Sequence, residues 1–382
     1  MPQKLRIALI GSGHRGIGFF AKGIIRDHAE RAELVALLDS NIARARIAAS
    51  MLNRPIPVFS DFEKMLAEAR PDTLIVCSKD QTHERYIVGG LERGLDIITE
   101  KPMAIDATQI RNILEAEKKS GKKIRVAFNY RYAPFATRVK QLLSEGVIGK
   151  IHLVHFQWVL DTRHGADYFR RWHRRKENSG GLMVHKATHH FDIMNWYLDD
   201  DPAEVYATGT RNFYGPTRDA RGERCLTCPH AKTCEFFYDL KANKEAELYL
   251  GAEGDDGYFR DRCVFDPEID IEDTVAVAVT YTHGARMSYS LVAYAPQEGN
   301  RMFFYGSRGR LEAGYVEGSN KERSLIRIWP LFQKEPYIVE VPRPKGEHGG
   351  ADPILLDALL NPDKPDPLKH QAGARAGACS VL

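Results

Sequence analysis

The stretch GGLMVHKATHHFD, from Gly180 to Asp192, gathers His185, Lys186, His189, His190 and Asp192 within a few turns of chain. An imidazole titrates near neutrality, so it can take or give the proton of an alcohol. A lysine can stabilise developing negative charge on an oxygen. If Met183 to Leu198 is one helix, Ala187, Phe191, Met194 and Leu198 form its apolar packing stripe. His185, His189, Asp192 and Trp196 then form a second stripe, roughly opposite. Proton transfer through His189 is the first reading, with His185 as relay or ligand-binding group. Zinc held by His185, His189 and Asp192 ranks second, because no glutamate follows the first histidine to make an H-E-x-x-H signature. A histidine that only fills a core contact is the bland alternative.

Two other places carry chemistry. LRIALIGSGHRGIG sets Gly11, Gly13 and Gly16 in G-x-G-x-x-G spacing, after a strand pattern and before a helical one. The first glycine allows a tight turn, the second lets a pyrophosphate approach, and the third lets helix and strand pack closely. The next strand ends in Asp39, whose carboxylate suits ribose hydroxyls and repels a 2′-phosphate. NAD is therefore expected ahead of NADP, with Arg44 and Arg46 as the residues that would favour NADP. In TEKPMA, Lys101 closes another strand, at the carboxyl end where an open α/β sheet has its ligand crevice. The proline after it holds it extended, and a surface loop lysine is the weaker reading.

CLTCPHAKTC places Cys225, Cys228 and Cys234, and Cys263 follows in YFRDRCVF. A C-x2-C pair lets two thiolates reach one metal, and two further cysteines complete a tetrahedral set. Structural zinc is expected, an iron–sulfur cluster is the alternative, and free thiols are the bland reading. Cys77 and Cys379 stand alone and read as packing residues.

These groups must be positioned by two kinds of sheet. Leu5–Gly11, Glu33–Asp39, Thr73–Ser78, Asp96–Lys101 and Lys123–Asn129 read as buried strands alternating with helical patterns, which implies a doubly wound parallel sheet. From Ile151 the segments IHLVHFQWVL, AEVYATGT, DTVAVAVTY, RMSYSLVAY and RMFFYGSRGRLEA follow with few helices between them. That pattern suits a second α+β domain with a large open, mainly antiparallel sheet. The expected division is residues 1–125 and 126–382, with the cysteine cluster as an insertion near 225–263. The chain has 382 residues, ample for two cores, and its net charge of +3 gives no case for nucleic acid or membrane binding. No cleavable leader and no apolar run near eighteen residues is present, so a cytoplasmic location is expected. HQAGARAGACSVL reads as a helix without a stop signal, so continuation past Leu382 is expected.

GSGHRG, VCSKDQTH, EKP, FNYRY, GGLMVHKATHHFD and GSRGRLE occur in an order that resembles the Gfo/Idh/MocA oxidoreductases, across nearly the whole chain. The resemblance implies an NAD(P)-binding Rossmann domain, then an α/β domain whose open sheet makes homo-oligomers, acting on carbohydrates and polyols. It implies Lys101 as the catalytic lysine. It implies cofactor contacts from Ser12, His14, Arg15, Ser78, Lys79, His83, Glu100, Lys101 and Asn129 besides the glycines and Asp39, and substrate contacts from Arg131, His185 and Lys186. His189 and Asp192 match family positions, whereas His185 stands where the family has an aspartate. The run RRWHRRK (Arg170 to Lys176) precedes this substrate loop. Arg171 could therefore bind an anionic group on the sugar, with Trp172 covering an apolar sugar face. The expected reaction is hydride transfer from a secondary alcohol of a sugar, glycoside or sugar acid to NAD, with Lys101 and His189 at the reacting oxygen. The alternative is a glycosidase that oxidises, eliminates, hydrates and reduces again; a regulator without turnover is the third.

Overall fold

The computed structural model describes residues 4–316, 323–344 and 347–382. Strands β1 (Leu5–Ile10), β2 (Ala32–Leu38), β3 (Val58–Phe59), β4 (Thr73–Val76), β5 (Asp96–Thr99) and β6 (Ile124–Val126) build the first sheet. All its pairs are parallel, in the order β3-β2-β1-β4-β5-β6. Strands covered on both faces must be apolar throughout, and Leu74, Ile75 and Val76 of β4 are accordingly inaccessible to water. The order reverses between β1 and β4, so the carboxyl ends of those strands open a crevice there. The helices are set by local signals. Asn41, Asp61 and Asp106 each cap a helix by accepting a backbone N–H from three residues on.

The second sheet has the order β14-β13-β12-β11-β7-β10-β9-β8. Its strands are β7 (Ile151–Asp161), β8 (Pro202–Thr210), β9 (Thr274–Tyr281), β10 (Arg286–Ala295), β11 (Gly299–Gly306), β12 (Gly309–Val316), β13 (Arg323–Pro330) and β14 (Tyr337–Pro342). The β7–β10 pair is parallel and the others are antiparallel. RMFFYGSRGRLEA is therefore a hairpin of two strands, turned between Gly306 and Gly309, not one. One face packs on the helices Pro134–Ser144 and Thr188–Leu198 through Val139, Val154, Phe304 and Met194.

The expected helix from Met183 to Leu198 is two pieces, Leu182–His185 and Thr188–Leu198. Lys101 Nζ donates to the His185 carbonyl at 3.0 Å, an acceptor that a continuous helix would give to the His189 N–H. The end of the chain returns to the first sheet. Leu355, Leu356 and Leu359 pack with Ile7, Leu9 and Phe20, and Ala374 and Ala378 pack with Ile110 and Val126. No helix among the described residues is long and apolar enough to cross a membrane.

Candidate functional site

The glycine loop has the shape of a dinucleotide cradle. Gly11 has φ +97°, and a Cβ there would lie 2.4 Å from the Cys77 carbonyl oxygen. A Cβ on Gly16 would lie 2.1 Å from the Gly11 carbonyl oxygen, so both positions require glycine. At Gly13 a Cβ would meet only the Tyr249 hydroxyl, at 3.8 Å, which leaves the approach to the backbone open. Asp39 is buried, and its Oδ2 accepts from Ser12 N and Ser12 Oγ at 2.9 and 2.7 Å. Arg15 donates through Nε to Glu100 at 2.6 Å and through Nη1 to Asp352 at 2.7 Å. Asn129 also donates to Asp352 (3.0 Å), while its own Oδ1 is buried with no partner among the described residues. His83 places one ring nitrogen 2.8 Å from the Pro102 carbonyl and the other 3.2 Å from that of Ser78. It thus ties the loop after β4 to the loop after β5. Ser78 Oγ bonds Thr82 Oγ1 at 2.7 Å, and Lys79 is exposed with its ammonium near the Tyr258 ring.

Residues 211–272, between β8 and β9, supply contacts that sequence reasoning missed. The Tyr249 hydroxyl accepts from His14 N at 3.3 Å, and Glu245 pairs with the His14 ring. The Ala252 carbonyl accepts from Asn41 Nδ2 at 2.7 Å. Asp256 accepts from Arg44 Nη2 at 2.9 Å, while Arg44 Nη1 stands 3.5 Å from Asp39. Arg46 is exposed. This segment lies over the glycine loop and over the carboxyl end of β2. Only its charge and aromatic content hinted at such a use.

Behind the crevice, the carboxyl end of β5 presents Lys101. Burial holds its ammonium down to about 8, against the pull of Asp80 and Glu100. His185 Nδ1 lies 2.5 Å from Asp80 Oδ2, and both side chains are buried. Its ring packs on His173 at 4.0 Å and edge-on to Trp172 at 5.5 Å. His189 stacks on Tyr130 at 4.3 Å, and its Nδ1 is buried with no hydrogen-bond partner among the described residues. His190 Nδ1 bonds the Tyr289 hydroxyl at 2.6 Å. Lys186 Nζ donates to the Tyr130 hydroxyl at 3.1 Å.

Asp192 does not face His189. It accepts a two-pronged bond from Arg131, 2.8 Å from Nε and 2.5 Å from Nη2, so that each of these buried groups is satisfied by the other. Spacing along a helix could not reveal that choice of partner. Trp196, the last of the expected stripe, donates to the Leu368 carbonyl. His185, His189 and Asp192 therefore point to three different partners, and no zinc set forms among them.

The basic run divides in the same manner. Arg174 pairs with Asp266 (2.7 Å), Arg175 approaches Asp270 (3.5 Å), and Lys176 pairs with Glu272. Arg170 donates to Cys225 Sγ at 3.1 Å. These charges hold residues 211–272 in place. Arg171 alone turns towards Tyr249 and Tyr258, and it too has a partner, Asp167 at 3.2 Å, which Arg260 shares.

Cys225, Cys228, Cys234 and Cys263 line one small cavity together with His230. The expected tetrahedral set is not closed, however. Among the described residues no three histidine, cysteine, aspartate or glutamate side chains stand as a metal-ligand group. Cys225 instead meets Arg170 and the Phe236 carbonyl.

Comparison with known proteins agrees with this architecture. Residues 5–128 match the oxidoreductase family's NAD-binding Rossmann fold, and residues 140–358 match that family's C-terminal alpha/beta domain. The Bacillus subtilis (strain 168) protein YteT, named as an oxidoreductase, is 37% identical over a 407-residue alignment covering 98% of this chain and 93% of YteT. The inositol 2-dehydrogenase of Paracoccus denitrificans is 30% identical over 208 residues, 52% of this chain and 55% of that enzyme. The fold is shared with the WlbA dehydrogenase of Bordetella pertussis, solved with NADH and UDP-GlcNAcA, at a TM-score of 0.68 and 20% identity, covering 99% and 94% of the two chains. Cradle, crevice lysine and paired domains thus have one explanation: the chain belongs to the Gfo/Idh/MocA family of oxidoreductases.

Proposed function

We propose that the protein is an NAD-dependent dehydrogenase acting on a secondary alcohol of a sugar, glycoside or sugar acid. The observation that carries this reading is Lys101, after β5, bonded to the His185 backbone and next to Glu100, which pairs with Arg15 of the glycine cradle. NAD, when bound, supplies the hydride acceptor. Gly11, Gly13, Gly16 and Asp39 hold it, and Arg44 is already engaged by Asp256 and Asp39, which favours NAD over NADP. Lys101 donates a hydrogen bond to the reacting oxygen, and a histidine of the Gly180–Asp192 stretch takes its proton. Arg171 and Lys186 make the pocket cationic, which suits a sugar carrying an anionic group. The comparisons support a carbohydrate, since inositol and a UDP-sugar are named for relatives and fold neighbours.

The test is a panel of inositols, hexoses, uronic acids and aryl glycosides, followed by NADH absorbance. Net NADH is expected with at least one of them, and Lys101→Ala should lower that turnover by about 10²–10⁴-fold with NAD binding retained. No reduction of NAD by any member would sink the reading. The glycosidase alternative draws support from the segment lying over the cradle, because a retained cofactor suits a closed redox cycle. Aglycone release without net NADH would establish it.

We also propose structural zinc at the cysteine cavity, on the convergence of the four thiols alone. Elemental analysis is expected to find one equivalent, lost in Cys228→Ser. Bound iron with visible absorption would indicate an iron–sulfur cluster, and absence of metal would leave ordinary thiols. A first domain that runs to the end of β6 at Val126, one residue past the expected 125/126 boundary, a cytoplasmic location, no nucleic-acid or membrane partner, and self-association through the second sheet complete the proposal.

A further inference from the structure

His185 stands where an aspartate is expected, and it has acquired a carboxylate of its own from the other domain. Asp80 follows β4 and lies 2.5 Å from His185 Nδ1, with Asp80 3% exposed and His185 8%. No other aspartate or glutamate bonds a histidine of the Gly180–Asp192 stretch among the described residues. The ring is clamped between this carboxylate and the faces of His173 and Trp172, so its orientation is fixed. Its backbone carbonyl accepts from Lys101 Nζ, which places the ring within a residue's reach of the crevice lysine.

The surroundings of Nδ1 differ between the two candidate histidines. An imidazole can accept a substrate proton on Nε2 only if its own proton sits on Nδ1. For His189 that proton would be buried with nothing among the described residues to accept it, at a cost of about 1–3 kcal/mol. For His185 the same proton has Asp80 as acceptor, and no hydrogen bond reaches Nε2 among the described residues. Burial pushes the Asp80 carboxyl well above the usual carboxylate range and Glu100 adds to this, while Lys101 and Arg171 pull it down. A carboxyl that kept its proton would donate it to Nδ1 and leave the ring proton on Nε2, so the observed tautomer reports which form Asp80 takes.

We infer that Asp80 is a positioning residue that holds His185 in the Nδ1–H tautomer, and that His185 rather than His189 is the acid/base of this enzyme. The inference rests on the dehydrogenase reading above. In the oxidative direction the alcohol O–H bond breaks and its proton passes to His185 Nε2. NAD held at the glycine cradle would supply the acceptor for the C–H hydride, so that the alcohol would become a carbonyl and the cofactor NADH. The Nδ1 proton stays with His185, facing Asp80, which changes no covalent bond. Asp192 takes no part, because Arg131 occupies both its oxygens.

The experiment uses the full chain labelled with 15N in its histidine rings, with His185→Gln to assign the signals. At neutral pH the His185 ring is expected to show a protonated Nδ1 and a bare Nε2, and Asp80→Asn is expected to shift both. A wild-type ring protonated on Nε2 overturns the inference, as does a spectrum indifferent to Asp80→Asn. This readout needs no substrate, so a failed sugar panel would remove the dehydrogenase reading without deciding the tautomer. With a substrate in hand, Asp80→Asn and His185→Gln should each lower kcat by about 10²–10⁴-fold with KM changed far less. Asp80→Glu should recover part of the loss. Greater loss of kcat in His189→Gln than in His185→Gln would return the proton role to His189. Should Asp80→Asn fail to fold, the wild-type tautomer still decides.

Discussion

Lys101 shows how a single side chain ties stability to chemistry. An unfolded lysine titrates near 10.5, whereas burial brings Lys101 down to about 8. Between these values the unfolded chain binds the extra proton, so the contribution of this site to stability rises with pH there. Below about pH 8 both states are protonated, and the buried charge is a constant penalty. Comparing urea midpoints of wild type and Lys101→Met from pH 7 to 10.5 tests this. The difference should move in favour of wild type above pH 8, and a difference independent of pH would mean that the ammonium is well solvated. The residue types of the site were legible in the sequence, but their pairings were not. His-x-x-Asp spacing says that His189 and Asp192 share a helix side. It cannot say that Arg131, from another element, reaches Asp192 first, or that Asp80 crosses over to His185. Those choices are made by tertiary packing.

Elements with strong periodicity were legible, and weak ones were not. β1, β2, β4, β5 and β6 lie where apolar runs placed them, because a strand buried on both faces leaves an uninterrupted signal. β3, with two residues, and β13 and β14, interrupted by charged and polar residues, leave little. Residues 211–272 leave almost none, since they are built from short helical turns, one isolated bridge between Arg224 and Arg262, and ion pairs. Two predictions belong to this segment. Asp256→Ala removes the partner of Arg44 Nη2, freeing a guanidinium beside Asp39 to meet a 2′-phosphate. A charge-assisted hydrogen bond contributes roughly 1.5–3 kcal/mol, so NADP affinity measured by calorimetry should rise about tenfold or more. Unchanged NADP affinity would show that Asp39 alone excludes the phosphate. Tyr249→Phe removes the hydroxyl at His14 N and should speed NAD release about 2–10-fold in stopped flow, as expected for one hydrogen bond of about 0.5–1.5 kcal/mol. A release rate equal to wild type would mean that the segment lies clear of the cofactor.

At the scale of the molecule, the second sheet has one face covered by helices and one face that no described residue covers. Register places Tyr206 beside Ala278, Ala278 beside Ser288, Ser288 beside His155, and His155 beside Phe303 on that bare face. Tyr305, across from Leu153, and Ile338, across from Arg327, continue it towards β14. Tyr206 is 72% exposed and Ile338 52%, so apolar side chains spread across the sheet without a cover. Polar residues normally occupy the solvated face of an antiparallel sheet, and an apolar patch that persists there marks an association surface. A second copy, meeting the patch with the same patch, would bury it under two-fold symmetry. Light scattering on the purified protein should therefore give a mass that is a multiple of 43.2 kDa. Tyr206→Asp combined with Ile338→Asp places like charges on both halves of such a contact and should lower that mass. Both positions are exposed, so the fold and the NAD affinity should survive the change. A wild-type protein of 43.2 kDa at micromolar concentration would show that the bare face tolerates solvent. The proposed self-association would then fall, while the cradle and the histidine pair, which lie in one chain, would stand.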